Sequence, residues 1–230
     1  MAEMMIETLD GSGSFAAYRA DPAGAPRGAI VVIQEIFGVN EGIRRKCDHF
    51  AGLGYLALAP DLFWRLKPGI ELDPDVPQEM QAALDLMGKF DQDKGIADIE
   101  ATIRAARIAS GGKVGVTGYC LGGRLAYMTA ARTDSDASVG YYAVGIDGLL
   151  DEKHAIARPL MLHIAGDDGF VSKEVQAAMH AGLDDHPKVT LYDYPGEDHG
   201  FATEMGKRRS DAAARLADSR TEAFFADHIG

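Results

Sequence analysis

A cysteine framed by glycines, Gly118-Tyr119-Cys120-Leu121-Gly122-Gly123, is the segment of this chain best suited to chemistry. A β-branched, glycine-spaced run from Val114 to Thr117 leads into it, and helix-forming residues follow from Arg124. Strand, sharp turn and helix in that order make a nucleophile elbow, G-x-S-x-G, with cysteine in the serine position. Glycines two positions before and after the nucleophile remove side chains that would collide with the neighbouring strand and helix. The turn also sets Cys120 at a helix N-terminus, where the positive end of the macrodipole favours thiolate over thiol. The competing reading is a buried free cysteine beside a glycine-rich turn, a common arrangement.

Two further loops supply what a nucleophile needs. The apolar run from Pro159 to Ile164 reads as a buried strand and opens into Ala165-Gly166-Asp167-Asp168-Gly169-Phe170-Val171. Lys188 to Tyr194 alternates like a strand and empties into Pro195-Gly196-Glu197-Asp198-His199-Gly200-Phe201. Nucleophile, acid and histidine in this chain order is the order of the α/β-hydrolases. An acid after one strand and a histidine after the next both fall at the carboxyl ends of a sheet, where open α/β folds bind ligands. Taken singly, the aspartates fit turn residues and His199 a loop histidine. Asp167 and Asp168 are adjacent, and the residues alone do not choose between them.

The elements that must carry these loops are apolar strands alternating with amphipathic helices, without a long linker or a repeat. That pattern predicts a single α/β domain over 1–230: a mostly parallel sheet covered on both faces. With 230 residues and 47% hydrophobic content, the chain can build a substantial core. The opening differs. Met5 to Leu9, the turn Asp10-Gly11 and Phe15 to Tyr18 read as an antiparallel hairpin at the sheet edge. Phe63 to Pro77, with Trp64 and Lys67-Pro68-Gly69, reads as an excursion over that edge, either pocket-lining or plain surface.

Over nearly its whole length the sequence resembles the dienelactone hydrolase family, cysteine hydrolases of the α/β-hydrolase fold. The segments that carry the resemblance are Val32 to Asn40 (with Gln34-Glu35-Ile36-Phe37-Gly38), Gly54-Tyr55, Ala59 to Leu62, Gly112 to Gly115, Gly118 to Gly123, Val139 to Tyr142, His163 to Val171 and Gly196 to Phe201. The resemblance implies that Asp168 is the acid of a Cys120–Asp168–His199 triad. It implies that Glu35 helps remove the thiol proton when substrate arrives, while His199 serves the later hydrolytic step. The bland alternative for Glu35 is a cap or an ion pair with Arg44 or Arg45. The backbone amides of Ile36 and Leu121 map to the oxyanion hole.

The resemblance also exposes departures. The best-known branch of the family grips a substrate carboxylate with two arginines, and Met80 and Thr203 stand at those positions here. Neither can pair bidentately with a carboxylate. Leu84 and Met87 replace aromatic residues nearby. Phe37, Trp64, Met80, Tyr141 and Thr203 are the expected substrate-binding residues. Arg65 and the Lys207-Arg208-Arg209 cluster are candidate compensating charges, although the cluster also fits a solvated helix face. The expected activity is hydrolysis of an activated ester or enol lactone. A carboxylesterase or thioesterase on a less anionic substrate is the alternative, and a non-catalytic ligand-binding module a third.

A net charge of −12 argues against nucleic acid or an anionic membrane as partner. No apolar stretch is long enough to span a bilayer, and Met1 to Met5 lacks the features of a signal peptide. With two cysteines, Cys47 and Cys120, a structural disulfide is not expected, and a cytoplasmic protein is. No H-x-x-x-H or C-x-x-C spacing supports a metal site, and no cofactor is implied. His163 reads as a satisfied histidine at the end of its strand. A small-molecule substrate and a monomer or small homo-oligomer complete the expectation.

Overall fold

The computed structural model describes residues 2–230. Its eight strands form one sheet in the order β1-β2-β4-β3-β5-β6-β7-β8. The first two, β1 (Ala2–Glu7) and β2 (Ser14–Ala20), form the antiparallel hairpin expected from the sequence. β2 then pairs antiparallel with β4 (Leu56–Pro60). From β4 onward all pairings are parallel, through β3 (Ala29–Ile33), β5 (Val114–Tyr119), β6 (Ala137–Tyr141), β7 (Leu160–Ala165) and β8 (Val189–Tyr194). Every residue of β3 to β7 is buried, which is why these strands read as continuous apolar runs.

Successive residues of β3 serve opposite faces. Ala29, Val31 and Ile33 join one core cluster, Ile30 and Val32 the other. The first cluster is covered by α3 (Gln92–Ser110), α4 (Leu121–Arg132) and α5 (Lys173–Leu183), through Ile99, Ile103, Leu125 and Met179. The second is covered by α1 (Glu41–Gly52) and α6 (Asp211–His228), through Ile43, Cys47, Phe50 and Phe225. Helix starts follow local chemistry: Asn40 caps α1 by accepting from the Ile43 amide at 3.2 Å, and Asp91 caps α3. A shorter helix, α2 (Pro77–Met87), begins with proline in its first turn and buries only Ala83.

This order puts the ends of β3, β5, β6, β7 and β8 along one edge. The registers Ile33↔Gly118, Tyr119↔Tyr141 and Ala165↔Tyr194 keep those ends level. Among the described residues no helix is long and apolar enough to cross a membrane.

Candidate active site

The elbow has the geometry its glycines require. Cys120 sits between β5 and α4 with φ 57° and ψ −114°, outside the regions that non-glycine residues favour. Such a conformation costs about 1–3 kcal/mol and persists only where its surroundings dictate it. A Cβ on Gly118 would stand 2.0 Å from the Gly122 carbonyl oxygen, and one on Gly122 2.5 Å from that of Gln34. The cysteine is therefore held out over the sheet edge by backbone packed too closely for side chains. Its own amide donates to the Tyr141 carbonyl at 3.1 Å, tying the turn to the neighbouring strand.

The loops after β7 and β8 bring the acid and the histidine together. His199 Nδ1 lies 2.9 Å from Asp168 Oδ2 and 3.1 Å from Oδ1, with both residues buried. Asp167 instead faces solvent and pairs with Lys173 at 3.3 Å, so the geometry chooses Asp168. Asp198 fastens the two loops by accepting from the His199 amide at 2.7 Å and the Gly169 amide at 3.1 Å. Burial opposes charge on His199, but the bond to Asp168 and the facing Cys120 sulfur outweigh it and raise its pKa to about 10.

Glu35 follows β3 and is buried within the same cluster. Desolvation pushes its pKa up, partly offset by His199, Lys46, Tyr142 and Thr203. The ion pairs open to it from sequence are not made: Arg44 bonds to Glu71 at 2.6 Å, and Arg45 to Glu41. Beside it, the Ile36 amide has no carbonyl or side-chain acceptor among the described residues, and the same is true of the Leu121 amide at the start of α4.

A cavity of about 360 Å³ opens over these groups. Glu35, Cys120 and His199 line its floor, with Phe37, Met80, Leu84, Met87, Val144 and Phe170 making an apolar wall. Met80, Leu84 and Met87 come from one face of α2 at helical spacing. Thr203, Lys207 and Arg208 line the side built by the loop before α6. So Phe37, Met80 and Thr203 are among the residues that line the cavity.

Trp64 and Tyr141 are not, and both expectations are corrected. Trp64 lies toward the antiparallel edge, stacked on Phe15 at 5.8 Å and donating to Asp98 at 2.8 Å. Only the far end of its segment, Pro74 and Asp75, reaches the cavity. Tyr141 is the last residue of β6 and points into the α6 face, where its hydroxyl meets Thr221 at 2.6 Å and Asp218 at 3.0 Å. The residue after it, Tyr142, packs in the same core cluster, with its ring 5.0 Å from the His199 ring. Strand alternation could not have separated the two tyrosines, because the positive φ of 36° at Tyr142 interrupts it.

The basic cluster also needs correction, since it lies in a loop and not on a helix face. Arg209 is held by Glu204 and Asp211, both at 2.9 Å. Lys207 and Arg208 make no ion pair among the described residues, and the Arg208 guanidinium lies 5.5 Å from the centre of the Phe170 ring. Arg65 is far from this role, paired with buried Asp98 at 2.8 Å.

Sequence reasoning gave Phe170 no role, yet its ring stands 4.8 Å from that of His199, edge-on. His163 is fully satisfied, with Nδ1 2.8 Å from the Tyr194 hydroxyl and Nε2 3.0 Å from that of Thr221. Burial lowers its pKa to about 3. The unfolded chain protonates this histidine near pH 6.5 while the native state resists, so its contribution is intact above pH 6.5 and is lost as pH falls toward 3. The slope is about 1.4 kcal/mol per pH unit. Denaturant unfolding between pH 7 and 4 checks this. His163→Gln is expected to be less stable at pH 7 but to lose less on acidification than the wild type; parallel losses would refute it.

Comparison with known proteins identifies the family and agrees with the fold. The family model for the dienelactone hydrolase family matches residues 15–229. The chain belongs to the dienelactone hydrolase family. Carboxymethylenebutenolidase 1 of Cupriavidus pinatubonensis is 38% identical to it, covering 93% of this chain and 92% of that one. A relative from Azospirillum brasilense, provisionally assigned as a carboxymethylenebutenolidase, is 47% identical with full coverage of both chains. Among solved structures, a provisionally assigned dienelactone hydrolase of Klebsiella pneumoniae superposes with a TM-score of 0.86 at 26% identity, covering 99% of this chain and 98% of that one.

Proposed function

We propose that the protein is a dienelactone hydrolase-like enzyme that hydrolyses an activated ester or enol lactone through a Cys120 acyl-enzyme. The observation that carries this is the buried His199–Asp168 pair at 2.9 Å set against a strained cysteine on the floor of a mostly apolar cavity.

Cys120 thiolate attacks the carbonyl carbon, and the electron pair moves onto the carbonyl oxygen. The unpartnered Ile36 and Leu121 amides receive that oxyanion. Glu35, made a stronger base by burial, takes the thiol proton beforehand. Collapse expels the enol or alcohol, which takes a proton from His199, and leaves a thioester on Cys120. Acylation removes negative charge from the sulfur, and with it one of the influences that keep His199 protonated. The neutral imidazole, oriented by Asp168, then draws a proton from water as it attacks the thioester. Thiolate is itself a good leaving group, so poor alkoxide leaving groups return to substrate. That favours enol lactones and activated esters over amides.

With Met80 and Thr203 in the lining, the cavity has no arginine at those two positions, which favours a substrate body less anionic than one gripped by two arginines. The test is kcat/KM on dienelactone beside p-nitrophenyl acetate. The wild type should turn over the neutral ester. Met80→Arg with Thr203→Arg should raise the dienelactone value about 10- to 100-fold, the worth of one or two charged hydrogen bonds. Strong wild-type activity on dienelactone, unchanged in the double variant, would shift carboxylate recognition to Lys207 and Arg208, which also line the cavity. Failure on both substrates would overturn the reading.

A further inference from the structure

Three large apolar side chains that stay exposed, Leu84, Met87 and Phe170, line the active-site cavity. Phe170 is 60% exposed and is the one aromatic among the large apolar side chains so exposed in the described residues. Apolar side chains gathered on one concave surface mark a ligand site. Arg208 lines the same cavity. Its neighbour Arg209 is neutralised by Glu204 and Asp211, whereas Arg208 makes no ion pair among the described residues. Asp198, the carboxylate just before His199, is engaged with the amides of His199 and Gly169.

The Arg208 guanidinium is nevertheless held in place. Its stem packs on Gly200, where an added Cβ would stand 3.3 Å from Arg208 Cδ. Nη1 donates to the His199 carbonyl at 3.4 Å, and the guanidinium carbon lies 5.5 Å from the centre of the Phe170 ring, within cation–π range. These contacts leave Nε and Nη2 without an acceptor among the described residues. That edge of a guanidinium grips a carboxylate through two parallel bonds. Arg132 shows it in this molecule, with Nε and Nη2 each 2.7 Å from an oxygen of Glu152. Lys207 has no such setting: its amide bonds to Asp75 at 3.4 Å, but its ammonium has no partner among the described residues.

Both side chains flank His199: Phe170 stands edge-on to its ring at 4.8 Å, and Arg208 is bonded to its carbonyl. In the mechanism above His199 gives its proton to the departing oxygen, so that oxygen sits at the imidazole. Groups flanking the imidazole therefore face whatever the departing oxygen carries. We propose that Arg208, held beside Phe170, determines leaving-group specificity: the enzyme prefers esters and enol lactones whose departing phenol or enol is planar and carries a carboxylate. The planar group rests on Phe170, and the carboxylate bridges Nε and Nη2 of Arg208. This rests on the reading of Cys120 as nucleophile and His199 as proton donor to the leaving group. Arg208 occupies neither position 80 nor position 203, so the grip is a single cation from the loop before α6. The rest of the substrate can be apolar, as Met80, Leu84 and Met87 require.

The test compares p-nitrophenyl acetate with its analogue carrying a carboxylate on the ring beside the nitro group; the acyl group is the same. The readout is the ratio of kcat/KM, carboxylated over neutral. Arg208→Gln should lower that ratio about tenfold, mainly through KM, the low end for a hydrogen bond to a charged group because the guanidinium is exposed. An unchanged ratio overturns the proposal, as does a fall in Lys207→Gln that Arg208→Gln does not show. So does a fall confined to p-nitrophenyl hydrogen adipate measured against p-nitrophenyl hexanoate, which would put the anion on the acyl side. The wild type gives a second test that needs no variant. The net charge of −12 repels the carboxylated ester, so screening by salt would raise the ratio if only that field acted. A local grip by Arg208 makes the ratio fall with salt, and a rise overturns it. The underlying reading fails separately: Cys120→Ala that still turns over the neutral ester would remove the nucleophile, whatever the ratio does.

Discussion

Cys120→Ala abolishes turnover of every substrate the wild type hydrolyses, by on the order of 10⁴-fold or more, with the fold retained. The large expected effect follows from the division of labour at the sheet edge. Amides at Ile36 and Leu121 can stabilise an oxyanion only after something has attacked, and among the described residues lining the cavity Cys120 carries the one thiol. Fold retention follows from the side chain being small and only half-buried, while the strain at φ 57° is imposed by Gly118 and Gly122 packing against backbone. The check is kcat/KM on an activated ester, with circular dichroism to show that the variant is folded. Residual activity within tenfold of wild type would require a different nucleophile. Alanine in a left-handed turn adds no bulk that cysteine lacked, so an unfolded protein would itself contradict the packing account.

His199→Ala has the second large effect, and a different signature. Acylation can still proceed on an activated ester, because Glu35 remains to take the thiol proton and a good leaving group needs little help. Deacylation loses its base, a factor of about 10²–10⁴. The enzyme should therefore stall as a thioester, and intact mass after mixing with p-nitrophenyl acetate should show one acetyl group added. Pre-steady-state kinetics should show a burst of p-nitrophenol equal to the enzyme concentration, followed by slow turnover. In Cys120→Ala neither burst nor added mass should appear. A His199→Ala protein with no burst and no adduct would mean that His199, with its pKa raised to about 10, is also indispensable in the first half of the reaction. That outcome would remove Glu35 from the role of first base while leaving the thioester chemistry intact.

Much of this was legible in the residues because the constraint was local. Gly118 and Gly122 are required because a Cβ at either would stand 2.0 or 2.5 Å from a backbone oxygen, and such close approach leaves an unmistakable trace in a sequence. The buried strands were readable because both of their faces are covered. Chain order gave the triad, but not the choice between Asp167 and Asp168; the direction of a side chain in a turn depends on what docks against it, here the His199 loop. Trp64 and Tyr141 misled for a related reason. An aromatic residue near a motif can serve a core as easily as a cavity, and Trp64 found its partner in Asp98, thirty-four positions along the chain. The basic run 207–209 had helical composition, yet Arg209 is taken by Glu204 and Asp211 in a loop that precedes the helix. None of these pairings has a spacing rule.

The short helix that walls the cavity buries only Ala83, and its first turn lacks a side-chain cap. Met80, Leu84 and Met87 thus belong to the part of the molecule whose replacement disturbs the core least, whereas Cys120 and Asp168 are anchored to strands buried throughout. Changes on that helix face should each cost little stability, within about 0.5 kcal/mol where the side chain is largely exposed. Reaction and substrate preference are therefore physically separable: the residues along α2 can be exchanged with little disturbance to the edge of the sheet that carries Cys120 and Asp168.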